Sequence, residues 1–317
     1  MTSRLRSLVL AAAFAVLCPL TAAAQQTPDP SFDPRVPNPM WKDRHPLILF
    51  DAGHNNLYTA SDRYMGLSNL ARSDGFGTEQ RLLPLTAGAL ERAKVLVIAD
   101  PLGSKDPMAR SAERPAFTKA EVDALIDWIK EGGGLLLVAE HAPTGRAAHG
   151  LAFRLGVDFS AGFLSDPVLQ DSTIGGSTLI FSRERKAIGD HPVTLGRGPL
   201  ERVNQVKTFT GQSLKGPEGS VPLLVLSPEA RDNMIKVGMP PGPIPDSLIR
   251  SAAGRAQGVA FTLGKGRVVV LGEGAMLSAG VMKVSETFTY HIGLNADGCD
   301  NRQFALNAMR WLSGGLK

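Results

Sequence analysis

The chain predicts an α/β fold, a three-layer sandwich around a mainly parallel sheet with a β-rich insertion. Three observations lead there. Short apolar runs of about strand length stand at residues 47–50, 95–99, 135–139 and 267–271, as expected of strands buried on both faces. Helical patterns separate the first three, and strands alternating with helices imply parallel pairing through right-handed crossovers. Each run also ends in an acid, directly or one glycine on: Asp51, Asp100, Glu140 and Glu273.

The elements follow in order. After the loop "DAGHNN", Tyr64, Leu67, Leu70 and Ala71 recur at helical spacing, with Gly75 as C-terminal cap. A brief strand over 76–83 and a short helix opening at Thr86 lead to the second buried run. The clearest helix is "FTKAEVDALIDWIKEGGG". Thr118 is its N-cap, Glu121 completes a capping box, and Val122, Leu125, Ile126 and Ile129 form its buried stripe. Gly132 to Gly134 end it. A helix over 146–155 and a strand over 157–159 close the first half. From about residue 160 to 258 the pattern changes to strands with few helices, in "STLIFS", "VNQVKTFT" and "VPLLVLS", and "MPPGPIP" at 239–245 excludes regular structure. A hairpin turning at Gly264-Lys265-Gly266 returns the chain to the sheet, and a helix opened by Asp300 or Asn301 finishes it.

The N-terminus predicts export. Arg4 and Arg6 precede an apolar run over 8–17 that is too short to span a bilayer, and Ala22-Ala23-Ala24 offers a cleavage site. The expectation is a signal peptide over 1–24, a proline-rich linker over 25–46, and one domain over 47–317 in the periplasm or outside the cell. Cleavage removes Cys18 and leaves Cys299 as the only thiol, so the mature monomer can form no internal disulfide. It also lowers the formal charge from +4 to +2. The basic residues are scattered, which gives no support to nucleic-acid binding, and no later segment predicts a membrane span.

Chemistry is expected where the strands end. In open α/β sheets the ligand crevice lies beyond the carboxyl ends of the strands. Glu140, His141 and His54 are the candidate catalytic groups, with Asp51, Asn55, Asn56 and Glu273 lining the same crevice. Asp51, His54, Glu140 and His141 are also hard oxygen and imidazole donors, a set that would take a divalent metal as cofactor. An acid at a strand end equally well caps a helix or anchors a turn. The strands ending at Asp51, Glu140 and Glu273 are expected to be neighbours, with the Asp100 strand further out and the 239–245 loop as rim. A joint acid/base role requires the Glu140 carboxylate within about 8 Å of His54 or His141. His191 and His291 read as structural. The segment 276–280, "MLSAG", lacks the first glycine of a serine-hydrolase elbow, and no phosphate-binding loop or dinucleotide fingerprint is present.

The segments "HPLILFDAGHNN", "EGGGLLLVAEHAP", "GDHPVT", "GKGRVVVLGEGAML" and "ALNAMRWLSGG" together resemble the class I glutamine amidotransferase-like superfamily. Within it the chain is similar to the exported branch related to trehalose-utilisation (ThuA) and gliding-motility GldG-type domains. The resemblance spans roughly residues 47–163 and 259–312, and implies a flavodoxin-like strand order. Catalytic members of that superfamily carry a cysteine on a tight strand-to-helix elbow. Here the matching position after 135–139 reads as Glu140, and a carboxylate cannot replace a thiolate in glutaminase chemistry. Two functions remain open: a hydrolase using acid/base or metal-assisted chemistry, and a non-catalytic domain binding a small molecule, glycan, peptide or partner, with aromatics such as Trp41 or Tyr58 lining its crevice.

Overall fold

The computed structural model describes residues 26–173, 178–235, 239, 242–283 and 289–317. Its centre is a parallel sheet of five strands, β1 (Leu47–Asp51), β2 (Gly77–Arg81), β3 (Val95–Ala99), β4 (Gly134–Val138) and β5 (Gly266–Leu271), in the order β2-β1-β3-β4-β5. The hairpin partner Ala256–Leu263 pairs antiparallel with β5 and carries the sheet on to the short strands Leu214–Lys215 and Asp158–Phe159.

The alternation of side chains along these strands sets the layers. Phe50, Val97, Leu136 and Val269 point to one face, where they meet Leu67 and Leu70 of helix Met65–Ser73 and Phe304 and Trp311 of helix Asn301–Leu312. Leu49, Leu96, Leu135 and Val268 point to the other, against Val122, Leu125 and Ile129 of helix Lys119–Lys130 and Leu151 of helix His149–Arg154. Because helices cover both faces, the four inner strands β1, β3, β4 and β5 are almost wholly apolar, and this is why they were legible as short apolar runs, whereas the edge strand β2 is polar. The Thr118–Glu121 capping box is present in both directions.

The helix expected over 146–155 is two shorter ones, Thr144–Ala147 and His149–Arg154, the second beginning directly after Ala148. Residues 160–258 include the antiparallel pair of Leu179–Ser182 with Gln205–Thr208 and a small antiparallel sheet in which Arg231–Asn233 lies between Phe163–Ser165 and Ile249–Ser251. Of the 239–245 loop, residues 240 and 241 lie outside the described residues, as does the expected signal peptide. Upstream of β1, Gln26–Pro28 pairs with Ala279–Lys283, and Trp41 packs edge-on against Phe76. The fully buried Arg310 guanidinium ties the last helix to Asp74, with Nη2–Oδ1 at 2.6 Å. Among the described residues no helix is long and apolar enough to cross a membrane.

Candidate functional site

The strand order corrects one expectation at once. The strand leading to Asp100 is not peripheral; it lies between those ending at Asp51 and Glu140, and β5, leading to Glu273, follows next. The four acids therefore line consecutive strand ends. They divide into two groups with different partners.

The first group is closed. Beyond β1 the chain turns back over its own end, and His54 Nδ1 lies 2.9 Å from both oxygens of Asp51. Its Nε2 is 3.0 Å from Glu121 Oε1, on the helix covering that face. Gly53 and Asn56 also donate to Asp51, so both of its oxygens are acceptors. A carboxylate only accepts, hence each ring nitrogen of His54 carries a proton and the ring is an imidazolium. Burial opposes that charge, but the hydrogen bonds and charges of Asp51 and Glu121 outweigh it and raise the His54 pKa. Glu121 is buried too, yet donors from Thr118, Leu85 and His54 bring its pKa down to about 2. With no free lone pair, His54 cannot accept a proton from substrate. The candidate catalytic role for His54 is therefore withdrawn. Asn55 and Asn56 lock the same turn: Asn55 Nδ2 donates to the Leu102 carbonyl, and Asn56 to Asp51 and the Ala99 carbonyl.

The second group is centred on Glu140. Its backbone N–H donates to Asp100 Oδ1 at 2.7 Å. Its side-chain Oε1 accepts from Gly274 N at 3.1 Å and, more weakly, from the Tyr58 hydroxyl at 3.4 Å. A β-carbon on Gly274 would fall 3.1 Å from Asp100 Oδ2 and 3.3 Å from Glu140 Oε1, so the two carboxyls flank one glycine. Asp100 holds a left-handed backbone, φ 48°, immediately after β3, and its enclosed Oδ2 lacks a hydrogen-bond partner among the described residues. Burial, then the charge of Glu140, pushes the Asp100 pKa well up. Glu273 is raised by the same two causes in the same order, although the backbone N–H groups of Met276 and Ala275 favour its charge. Two acids whose charged forms burial disfavours thus stand behind a third.

His141 faces that third acid. Its Nδ1 lies 2.8 Å from the Ala142 carbonyl, which can only accept, so the proton is on Nδ1 and Nε2 is free to exchange one. Nε2 is 3.8 Å from Glu140 Oε2, too long for a direct hydrogen bond and short enough for a shared water. Phe163 stacks on the ring at a centroid distance of 3.6 Å. The His141 side chain is 20% exposed and that of Glu140 13%, whereas Asp51 is fully enclosed.

The candidate metal set falls apart on this division. Asp51 and His54 belong to one group and Glu140 and His141 to the other, and no group of three or more His, Cys, Asp or Glu side chains among the described residues is placed to hold a metal ion. The donors present do not fit a divalent cation. Tyr58 is buried under the Arg63 guanidinium, 5.2 Å from its ring centre, and Trp41 is partly buried against the core, so neither is an exposed platform. Cys299 is mostly buried, which raises its pKa, and its Sγ donates to the Ala296 carbonyl. Glu121, Asp100 and Phe163 are not among the site residues expected from sequence, and Tyr58 was expected only as a crevice-lining aromatic. Glu121 carried a signal as a capping box and Asp100 as a strand end, and Phe163 carried none.

No protein-family profile matches the chain, and no curated protein does. Solved structures do. The N-terminal domain of mmIFT52 is 16% identical, aligns over 84% of this chain and 97% of its own, and gives a TM-score of 0.58. A protein described as ThuA-like from Bacteroides uniformis is 15% identical over 90% of this chain and 95% of its own, at a TM-score of 0.44. At these identities the first likeness is one of fold.

Proposed function

We propose that the chain is an exported hydrolase of amidotransferase-like architecture, flavodoxin-like in strand order, that works without glutaminase chemistry. The observation that carries the reading is the Glu140–His141 pair: an exposed edge of a carboxylate beside an imidazole with an available Nε2. Glu140 is the general base. It takes a proton from water, the resulting hydroxide equivalent attacks the scissile centre, and the proton passes by way of His141 to the leaving group. One bond to the leaving group breaks and one C–O bond forms. Gly274 N–H fixes the carboxylate, and burial disfavours the charged forms of Asp100 and Glu273 behind it. A left-handed residue just after a strand has the geometry of a nucleophile elbow, and here that residue is Asp100, not Glu140. A buried carboxyl at that position supports the absence of thiol-type acyl transfer.

The test is a screen of chromogenic esters, glycosides and amides with mature protein and with Glu140→Gln. Turnover of one class, reduced about 100-fold or more in the variant at unchanged melting temperature, is the expected result. No turnover of any class, or turnover that survives the substitution, overturns the reading. Export is tested separately: N-terminal sequencing of protein recovered from the periplasm should begin at Gln25, and a start at Met1 removes the localisation.

A further inference from the structure

A cleft opens beside the Glu140–His141 loop and shares none of its chemistry. Its volume is about 470 Å³, and Arg146, His149 and Arg250 line it together with Glu113, Phe159 and Met234. Three separate elements bring the basic groups together. Arg146 is on helix Thr144–Ala147, His149 opens helix His149–Arg154, and Arg250 is on strand Ile249–Ser251, registered opposite Asp232. The charges do not cancel. Glu113 approaches Arg146 only loosely, Nε to Oε2 at 3.7 Å, and Arg250 forms no ion pair among the described residues. Asp232, the nearest acid in register, is buried and engaged by the hydroxyls of Ser160 and Ser213. Two guanidinium groups and an imidazole thus face one carboxylate across an open cleft, an excess of positive charge where ion pairing would otherwise be expected.

We infer that this cleft binds a small organic anion, with its terminal oxyanion (phosphate, sulfate or carboxylate) held between Arg146 and Arg250. Guanidinium groups match oxyanions through paired, charge-assisted hydrogen bonds. The cleft volume falls in the range of small-molecule sites and exceeds what one inorganic anion fills, and Phe159 and Met234 give the remainder an apolar wall. The site stands apart from the Glu140 reading, since neither Glu140 nor His141 lines it.

The experiment is titration calorimetry on mature protein at low ionic strength with glycerol 1-phosphate, inorganic phosphate and glycerol. The expected result is saturable one-to-one binding of the ester, no binding of glycerol, and at least about tenfold weaker binding in Arg146→Gln/Arg250→Gln. Equal affinity for inorganic phosphate and the ester identifies the free anion as the ligand and keeps the oxyanion site. Arg92→Gln, which removes an exposed arginine paired with Glu79, should bind as the parent does. Glu140→Gln should also bind normally, which separates failure of this site from failure of the hydrolase reading. Absence of saturable binding, or equal loss in Arg92→Gln, overturns the inference. So does undiminished binding in the double variant at parental melting temperature.

Discussion

Two carboxylate–imidazole arrangements stand at the same edge of the same sheet, and they do opposite things. Around His54, two carboxylates take both ring nitrogens, and the side chains are almost wholly enclosed. Around Glu140, one imidazole approaches without a direct bond, and both groups reach solvent. Residue type and sheet position are shared, so neither distinguishes a structural site from a reactive one. The number of partners does. A histidine with both nitrogens satisfied is a cross-link, here between β1 and helix Lys119–Lys130, whereas one nitrogen left over can move a proton.

The sharpest way to break the comparison is to delete each imidazole. His54→Ala leaves Asp51 and Glu121 buried with fewer donors, and breaking a buried ion pair in this manner costs about 3–5 kcal/mol. Both carboxylates keep other donors, Gly53 and Asn56 for one, Thr118 and Leu85 for the other, which favours the lower end. A melting temperature lower by roughly 6–10 °C is expected for a chain of this size. His141→Ala loses a ring stacked on Phe163 and partly open to solvent, and should cost no more than about 1 kcal/mol. Equal losses in thermal denaturation would erase the distinction between the two sites.

The pH dependence separates them next. The depressed Glu121 pKa means its contribution is complete above about 4.5 and fades as the pH falls toward 2. The raised His54 pKa has the opposite sense: its contribution is complete below 6.5 and fades as the pH rises through the folded-state value. The stability gap between parent and His54→Ala should therefore be widest between about pH 4.5 and 6.5 and narrow on both sides. Chemical denaturation across that range checks it, and a gap that widens steadily toward alkaline pH contradicts the imidazolium assignment.

What the sequence disclosed follows from which forces are local. Four of the five parallel strands, the capping box at Thr118 and the closing helix are written in apolar runs and short-range spacing, which one chain segment carries by itself. That acids gather at one edge was legible too, because parallel strands share a direction. Which acid meets which histidine was not. Glu121 is 67 residues from His54 and was already explained by its capping role, and its second oxygen gave no further sign. The strand order, which puts Asp100 beside Glu140 and not at the margin, is a property of the crossovers and leaves no mark on the residues themselves. Phe163, which covers His141, lies in the β-rich insertion, on a strand whose partner Arg231–Asn233 is more than sixty residues away.

The smallest expected effect bears on the Glu140 group and runs in the stabilising direction. Asp100 is enclosed, and burial together with the charge of Glu140 raises its carboxyl pKa well above the ordinary 3.8. An acid with a raised folded-state pKa carries no penalty below its unfolded value. Above it the unfolded chain gains by ionising and the folded one does not, so stability is lost as the pH climbs toward the folded value. Asp100→Asn removes that linkage. The amide oxygen can still accept from Glu140 N–H, and the amide nitrogen takes the place of the partnerless Oδ2, which shares the contact around Gly274 with Glu140 Oε1. Asparagine also tolerates the left-handed backbone at this position. Asp100→Asn should therefore fold and gain on the order of 1 kcal/mol at neutral pH, the usual scale of a single stabilising substitution. The gain should vanish below about pH 3.8, where Asp100 is protonated in both states. Denaturation midpoints of the two proteins at pH 7 and pH 3.5 measure the difference directly. A loss of stability at pH 7 would mean that Asp100 is ionised in the folded protein, and with it the contrast between a closed, charged His54 node and a Glu140 group backed by neutral acids would fall.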